Sequence, residues 1–386
     1  MQLPLSGIKV VDLTRILAGP FCTMLLADMG ADVVKIEGPD AGDPIRNIGA
    51  MVDGLSWYFA SFNRNKRSLT IDLKSDSGKA TLAALLERAD VVVENFRPGV
   101  MGKMGFDEQT LNHINPRLIV ASVNGYGSTG PYAQRPAFDF VIQAMSGFMS
   151  LNGGQNDPPL RTGPPLTDLI AGLYAAFGIV NALRARDLNG TGQRVEASMM
   201  DSVVSMFAYL AANHLATGEL PQRTGNDHPI ASPYGLFEAK DGEIAVAPST
   251  EAVLEKFLAT LQLSHLLADP RFATNGLRMS NRAEMNALIN ERLRSDTQAN
   301  WMRRLNAEGV PCGVVQTIGQ ALSDPQTWHR EMVIEVEHPG HGMVKMLGFP
   351  VKLSGTPCMV RHPAPEQGAH TQAILEEWGV RVGSQK

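Results

Sequence analysis

Asp168 heads a stretch of fifteen residues, Leu169 to Leu183, that carry no charge. An acid in the first turn of a helix ordinarily complements the helix dipole and faces water. The segment behind Asp168, LIAGLYAAFGIVNAL, is apolar all the way round, which predicts a helix buried on every side. A carboxylate in that setting must be paired, strongly hydrogen-bonded or functional. A helix N-terminus favours its ionised form, and an ionised carboxylate in a dry pocket can serve as a nucleophile.

Other residue patterns compete for chemistry. GYGSTG at 125–130 matches G-x-G-x-x-G and follows a strand-like run, but Pro131 and Pro136 break the helix that a dinucleotide site requires. A glycine-rich loop that lets backbone approach a ligand remains open. The cluster NRNKRS at 63–68, followed by Lys74, Arg97 and Lys103, reads either as a solvated surface or as phosphate-binding groups at strand ends. The nine histidines show no metal-ligand spacing, and His338 and His341 fall in a turn-like HPGHG. No GxxxxGK[ST] and no GxSxG elbow is present, so phosphate-loop and serine acyl-enzyme chemistry lack support.

Positioning these groups falls to a βαβα rhythm. Runs at 8–13, 32–37, 69–73, 90–95 and 117–122 read as strands, with helical segments at 18–30 and 77–89 between them. Near-continuous apolar strands predict a parallel sheet covered on both faces, an α/β fold. Pro164 and Pro165 forbid helix just before them, Thr167 is the expected N-cap, and the long helix should run to about Arg186 before Asn189-Gly190 stops it. Residues 1–217 form the first part of a large domain. A Pro/Gly-rich linker at 218–235 leads to a smaller α+β domain at 236–324, opened by a hairpin turning at Asp241-Gly242. Residues 325–386 read as a linker and a return to the large domain.

Bulk properties bound the partners. A formal net charge of -5 offers no global field for nucleic acid. Cys22, Cys312 and Cys358 form no CxxC pair, so neither a zinc ribbon nor a disulfide framework is expected, and a reduced cytoplasmic setting is the simplest reading. The N-terminal MQLPLSGIKVVDLTR lacks the build of a secretory signal, and the low-charge run at 169–183 is short for a bilayer, so no membrane partner is expected.

Five stretches in order resemble the class III coenzyme A transferases, the formyl-CoA transferase and carnitine CoA-transferase family. They are VVDLTRILAGPFCTMLLADMGADVVKIEGPDAGDPIR, SFNRNKRSLTIDLK, ADVVVENFRPGVMGKMGF, LIVASVNGYGSTGPYAQRPAFD and TDLIAGLYAAFGIVNALRARDLNGTGQRVEASMMD, and the likeness continues less sharply to the end. The resemblance implies a Rossmann-like large domain and an interlocked, ring-shaped homodimer. It implies acyl-CoA and carboxylic acid substrates, with coenzyme A as part of the substrate and no permanently bound cofactor or metal. It places the nucleophile on Asp168, and CoA contacts on Ile71, Lys74, Asn95, Phe96, Lys103 and Met104, with Ile16 and Met199 nearby. Lys103 stands where formyl-CoA transferase uses arginine, and Gly38 replaces a basic contact.

The mechanism so implied passes through an acyl–aspartyl anhydride and an aspartyl-CoA thioester. An α-methylacyl-CoA racemase, the nearest rival in the fold, pairs a histidine with the helix-start aspartate. Here Phe138, beside Asp139 in PAFDF, occupies that histidine's place and cannot move protons. A noncatalytic CoA-binding protein is the rival from another class. Leu17 stands where formyl-CoA transferase has glutamine, and the wording of TRILAGPF, NRNKRS and GYGSTGP is closer to the branch that moves CoA between succinate and other dicarboxylates. Arg15 and Arg46 are then candidates to grip a distal carboxylate, or else ordinary surface or phosphate-contact arginines, and His228 and Tyr234 are weaker candidates by analogy.

Overall fold

The computed structural model describes residues 2–380. The chain folds as two compact units. One comprises the chain up to Phe148, Thr162–Ala208 and the chain from Pro325; the other comprises Met149–Arg161 and Tyr209–Asp324. The small unit therefore takes in 149–161, which the sequence reading left in the large domain, and begins at Tyr209, before the expected linker.

The large unit is built on six parallel strands: β1 (Lys9–Asp12), β2 (Asp32–Glu37), β3 (Lys66–Thr70), β4 (Val91–Glu94), β5 (Ile119–Asn124) and β6 (Arg194–Ser198). Their order is β3-β2-β1-β4-β5-β6, so the winding reverses between β1 and β4. In open parallel sheets, ligands bind beyond the carboxyl ends of the strands at that reversal. The third strand starts at Lys66, three residues before the expected LTIDL, because Lys66 to Thr70 pair in register with Val33 to Glu37.

Successive side chains of a strand point to opposite faces. Val10, Val33, Val91 and Val93 pack with α1 (Ala18–Asp28) and a long helix at 166–189, while Val11, Val34 and Val92 pack with Leu82, Leu85 and the C-terminal Trp378. Other helices of this unit include α2 (Trp57–Asn63), α3 (Asp76–Leu86), α4 (Val100–Lys103), α5 (Glu108–Ile114), α6 (Asp139–Met145), the long α7 (Leu166–Asn189) and α8 (Met199–Ser205). Ser56, Ser75, Asp107 and Ser198 cap α2, α3, α5 and α8 by accepting a backbone N–H.

Several expectations change here. NRNKRS is neither a solvated face nor a ligand cradle. Arg64 pairs with Asp28 at 2.8 Å, Lys66 with Asp12 at 3.1 Å and Arg67 with Asp32 at 2.7 Å, and Arg64 and Lys66 are buried. The helix α7 runs for 24 residues and is buried on one side only: Leu173, Phe177 and Val180 are exposed on its other side. By length and composition alone it is long and apolar enough to cross a membrane, but its buried side is the core of the sheet layer. His338 lies not in a loop but at the end of a strand, Val333–His338, and is buried.

The small unit pairs a three-stranded antiparallel sheet with helices around Phe237, Phe257 and Trp301. Its hairpin turns at Lys240-Asp241, one residue before the expected pair, because Gly242 already pairs with Ala239.

Candidate active site

Asp168 is the third residue of α7 and is half-buried. The helix begins at Leu166 behind Pro165, so Thr167 is a helical residue rather than the N-cap, and its buried hydroxyl has no partner among the described residues. The free N–H of Thr167 donates instead to Asp139 Oδ1 at 2.9 Å, from the head of α6. Gln143 Nε2 donates to the other Asp139 oxygen at 2.8 Å, and Gln143 Oε1 accepts from Thr162 N at 2.9 Å. Asp139 is thus fixed against the first turn of α7.

The Asp168 carboxylate has no hydrogen-bond or ion-pair partner among the described residues. Burial pushes its carboxyl up to about 7, and the Asp139 charge adds to the rise. Loss of water and a like charge thus oppose the helix end, which was expected to favour the ionised form. Burial also raises the Tyr58 phenol, with Asp168 and Asp43 adding to it, so both acids lie near Tyr58. Its position in WYFASF gave no functional signal in the sequence.

A close helix contact brings the rest of the site to Asp168. A Cβ added at Gly172, one turn along α7, would lie 2.5 Å from Ala18 O at the head of α1. Only glycine allows that approach. The turn Arg15–Leu17, between β1 and α1, therefore sits by the first turns of α7. It is strained: Ile16 has φ 69°, a left-handed conformation that a β-branched residue rarely adopts.

Buried charges hold that turn. Asp12 accepts from Thr14 N at 2.9 Å, Thr14 Oγ1 at 2.5 Å and Thr23 Oγ1 at 2.7 Å, and pairs with Lys66. Burial alone would raise the Asp12 carboxyl, but Lys66 and Lys35 outweigh it and hold it below the usual range. Lys35 donates to Thr14 O at 2.9 Å and pairs with Asp43 at 2.8 Å, and Asp43 accepts the Ile16 N–H at 3.2 Å. Asn95 completes the clamp: its amide accepts from Arg15 N at 2.9 Å and donates to Arg15 O at 2.8 Å.

Beyond the carboxyl ends of β1, β2 and β3 opens a cavity of about 550 Å³. Arg15, Ile71, Lys74, Phe96, Lys103 and Met104 all line it, as does Gly38. Lys79, on α3, also faces it and was missed, although its place just after the Ser75 cap puts it on the same side as Lys74. Lysines over an apolar wall of Ile71, Phe96 and Met104 suit a ligand with phosphates and an apolar portion.

Other sequence candidates lie elsewhere. Leu17 and Met199 are buried in the fold, with Met199 in the core layer of α7. Arg46 is already committed: it donates to Glu37 Oε1 at 2.8 Å, to Glu37 Oε2 at 2.7 Å and to Pro365 O at 3.0 Å, and lies over the Phe59 ring. Phe138 is exposed and lines a smaller cavity of about 170 Å³ with Asn95 and the Gly125–Tyr126 turn. His228 and Tyr234 belong to the small unit, where their rings stand 4.6 Å apart. No group of three or more metal-binding side chains occurs among the described residues.

Residues 5–371 match the family described as CoA-transferase family III. The human succinyl-CoA:glutarate CoA-transferase is 36% identical over 97% of this chain and 86% of its own length. The acetyl-CoA:oxalate CoA-transferase of Acetobacter aceti is 39% identical over 97% of this chain and 96% of its own. Among solved structures, a CAIB/BAIF family protein from Brucella suis superposes with a TM-score of 0.86 at 37% identity, covering 98% of this chain and 100% of that one.

Proposed function

The chain belongs to CoA-transferase family III, and from that premise we propose that it moves CoA from an acyl-CoA donor, succinyl-CoA in the first instance, to a dicarboxylic acid acceptor, with Asp168 as the covalent relay. One observation carries the reading: an unpartnered, half-buried carboxylate at the head of α7, beside the turn that borders a lysine-lined cavity.

Asp168 attacks the thioester carbonyl. The C–S bond breaks, CoA leaves as thiolate, and an acyl–aspartyl anhydride remains. The thiolate attacks the aspartyl carbonyl, which releases the donor acid and leaves an aspartyl-CoA thioester. The acceptor carboxylate then displaces the thiolate, and the thiolate in turn takes the acceptor's acyl group and frees Asp168. Each hard exchange is split into easier ones. The cavity beside Lys74, Lys79 and Lys103 is the CoA site in this reading. Arg15, whose side chain carries no ion pair among the described residues, is the better candidate for the acceptor's distal carboxylate, since Arg46 is engaged by Glu37. Relatives that bear the names of glutarate and oxalate transferases support a dicarboxylate acceptor. The exposed apolar side of α7 supports a homodimer, for which the resemblance implies an interlocked ring.

A donor–acceptor matrix tests this. Succinyl-CoA and acetyl-CoA are offered with glutarate, oxalate and monocarboxylic acids, and Asp168→Ala serves as control. Dicarboxylates should be preferred and the alanine form inactive. Undiminished transfer by Asp168→Ala, or a trapped adduct on another residue, sinks the mechanism.

A further inference from the structure

A second cavity in the large unit, about 340 Å³, has no part in this chemistry. It lies on the other side of α4, between that helix, α5 and the edge of the sheet at β6. Its wall is apolar, with Met101, Phe106, Leu111 and Val120, and Arg97 and Arg194 stand at its border. The Arg97 side chain has no hydrogen-bond or ion-pair partner among the described residues, and Arg194 has only a loose one, Glu196 at 3.8 Å. Three acids line the cavity, and one of them, Glu108, is exposed and pairs with neither arginine among the described residues. Asp107 is turned onto the Thr110 N–H at 2.8 Å, and Glu94 is buried with one oxygen bonded by Ser122 and the other by Phe96 N at 2.8 Å. Burial pushes the Glu94 carboxyl up, against the hydrogen bonds from Ser122 and Phe96 N that pull it down.

Two links join this cavity to the proposed CoA cavity. The four-residue α4 turns Met101 and Gly102 to one and Val100 and Lys103 to the other. Glu94, in the second cavity, holds the backbone N–H of Phe96, whose ring lines the first. Between them Asn95 clamps Arg15. A ligand that settles against Met101 and Glu94 therefore bears on the groups proposed to hold CoA.

We propose that this second cavity binds a small carboxylic acid with an apolar body, its carboxylate held by Arg97 and Arg194, and that its occupancy tunes the affinity of the neighbouring cavity for CoA. A cavity of this size, with apolar side chains on its wall and charged groups at its border, matches the build of small-molecule sites.

The test titrates 3-phenylpropionate into the full chain by calorimetry, in wild type, Arg194→Ala and Asn112→Trp. Asn112 lies at the exposed rim of the cavity, so tryptophan fills it without disturbing the core. The acid should bind wild type, and each substitution should weaken it by about tenfold, with transferase rates in its absence within about twofold of wild type. CoA affinity should change by about fivefold on saturation with the acid in wild type and stay constant in Asn112→Trp. No binding to wild type, or equal binding to all three forms, overturns the site; a CoA affinity indifferent to the acid overturns the coupling. The coupling rests on the CoA reading of the first cavity. The acid titration does not, so a protein that takes up the acid yet never binds CoA refutes the proposed function and leaves the site standing.

Discussion

Asp168 carries two opposed demands. Attack on a thioester needs the carboxylate, yet burial and Asp139 raise its carboxyl to about 7. The rate of the acyl-transfer half-reaction should therefore climb with pH through about 7 and level off above it. Asp139→Asn removes the like charge and keeps an acceptor for the Thr167 N–H. Its acid limb should move to lower pH, and an unmoved limb refutes the assignment. The same imbalance acts on stability. The folded state holds this proton more tightly than the unfolded one, so the group stabilises fully below about 4 and loses that contribution as pH rises through about 7. Asp168→Asn should be more stable than wild type at pH 8, with the gap closing near pH 4. Chemical denaturation at both pH values measures it; equal gaps would show that Asp168 is not held out of water. The place of Asp168 at the head of an uncharged helix was readable, but its raised pKa was not, since Asp139 lies 29 residues upstream and meets α7 only in the fold.

At the scale of the element, the contact of α1 with α7 sets the geometry. Valine at Gly172 would drive its side chain into Ala18 O and the Phe21 ring. We expect a loss of about 1–3 kcal/mol in stability and a fall in turnover of about a hundredfold, because the Arg15–Leu17 turn shifts away from Asp168. Gly178→Ala is the control. Its Cβ would meet only the Val195 side chain, away from the helix head, so it should cost stability and leave the turnover of folded protein intact. Equal losses of turnover in the two variants would remove the positioning role. The strands and helices themselves were legible, because valine runs and apolar spacing are local signals. The fate of NRNKRS was not. Asp12, Asp28 and Asp32 lie 54, 36 and 35 residues from their partners, and no local pattern pairs a cation with so distant an acid.

For the whole molecule, the informative failure is the side of α7 expected to be buried. An all-round apolar helix reads the same whether its own chain or another covers it. Here one side faces the sheet, and Leu173, Tyr174, Phe177 and Val180 are left exposed, with Phe177 at 66%. Phe138, Phe140 and Val141, at the head of α6, are exposed as well. Monomers seldom leave so much aromatic and aliphatic surface in water, and a second copy is the occupant that the proposed homodimer supplies. A charge placed in the middle of such a contact has no partner and cannot be solvated once buried. Phe177→Glu should therefore shift the protein from dimer to monomer at micromolar concentration in light scattering, while far-ultraviolet circular dichroism stays unchanged because the substituted position is exposed in the lone chain. A glutamate variant that remains dimeric would place the subunit contact elsewhere, and a wild-type monomer would leave this surface without the partner proposed for it.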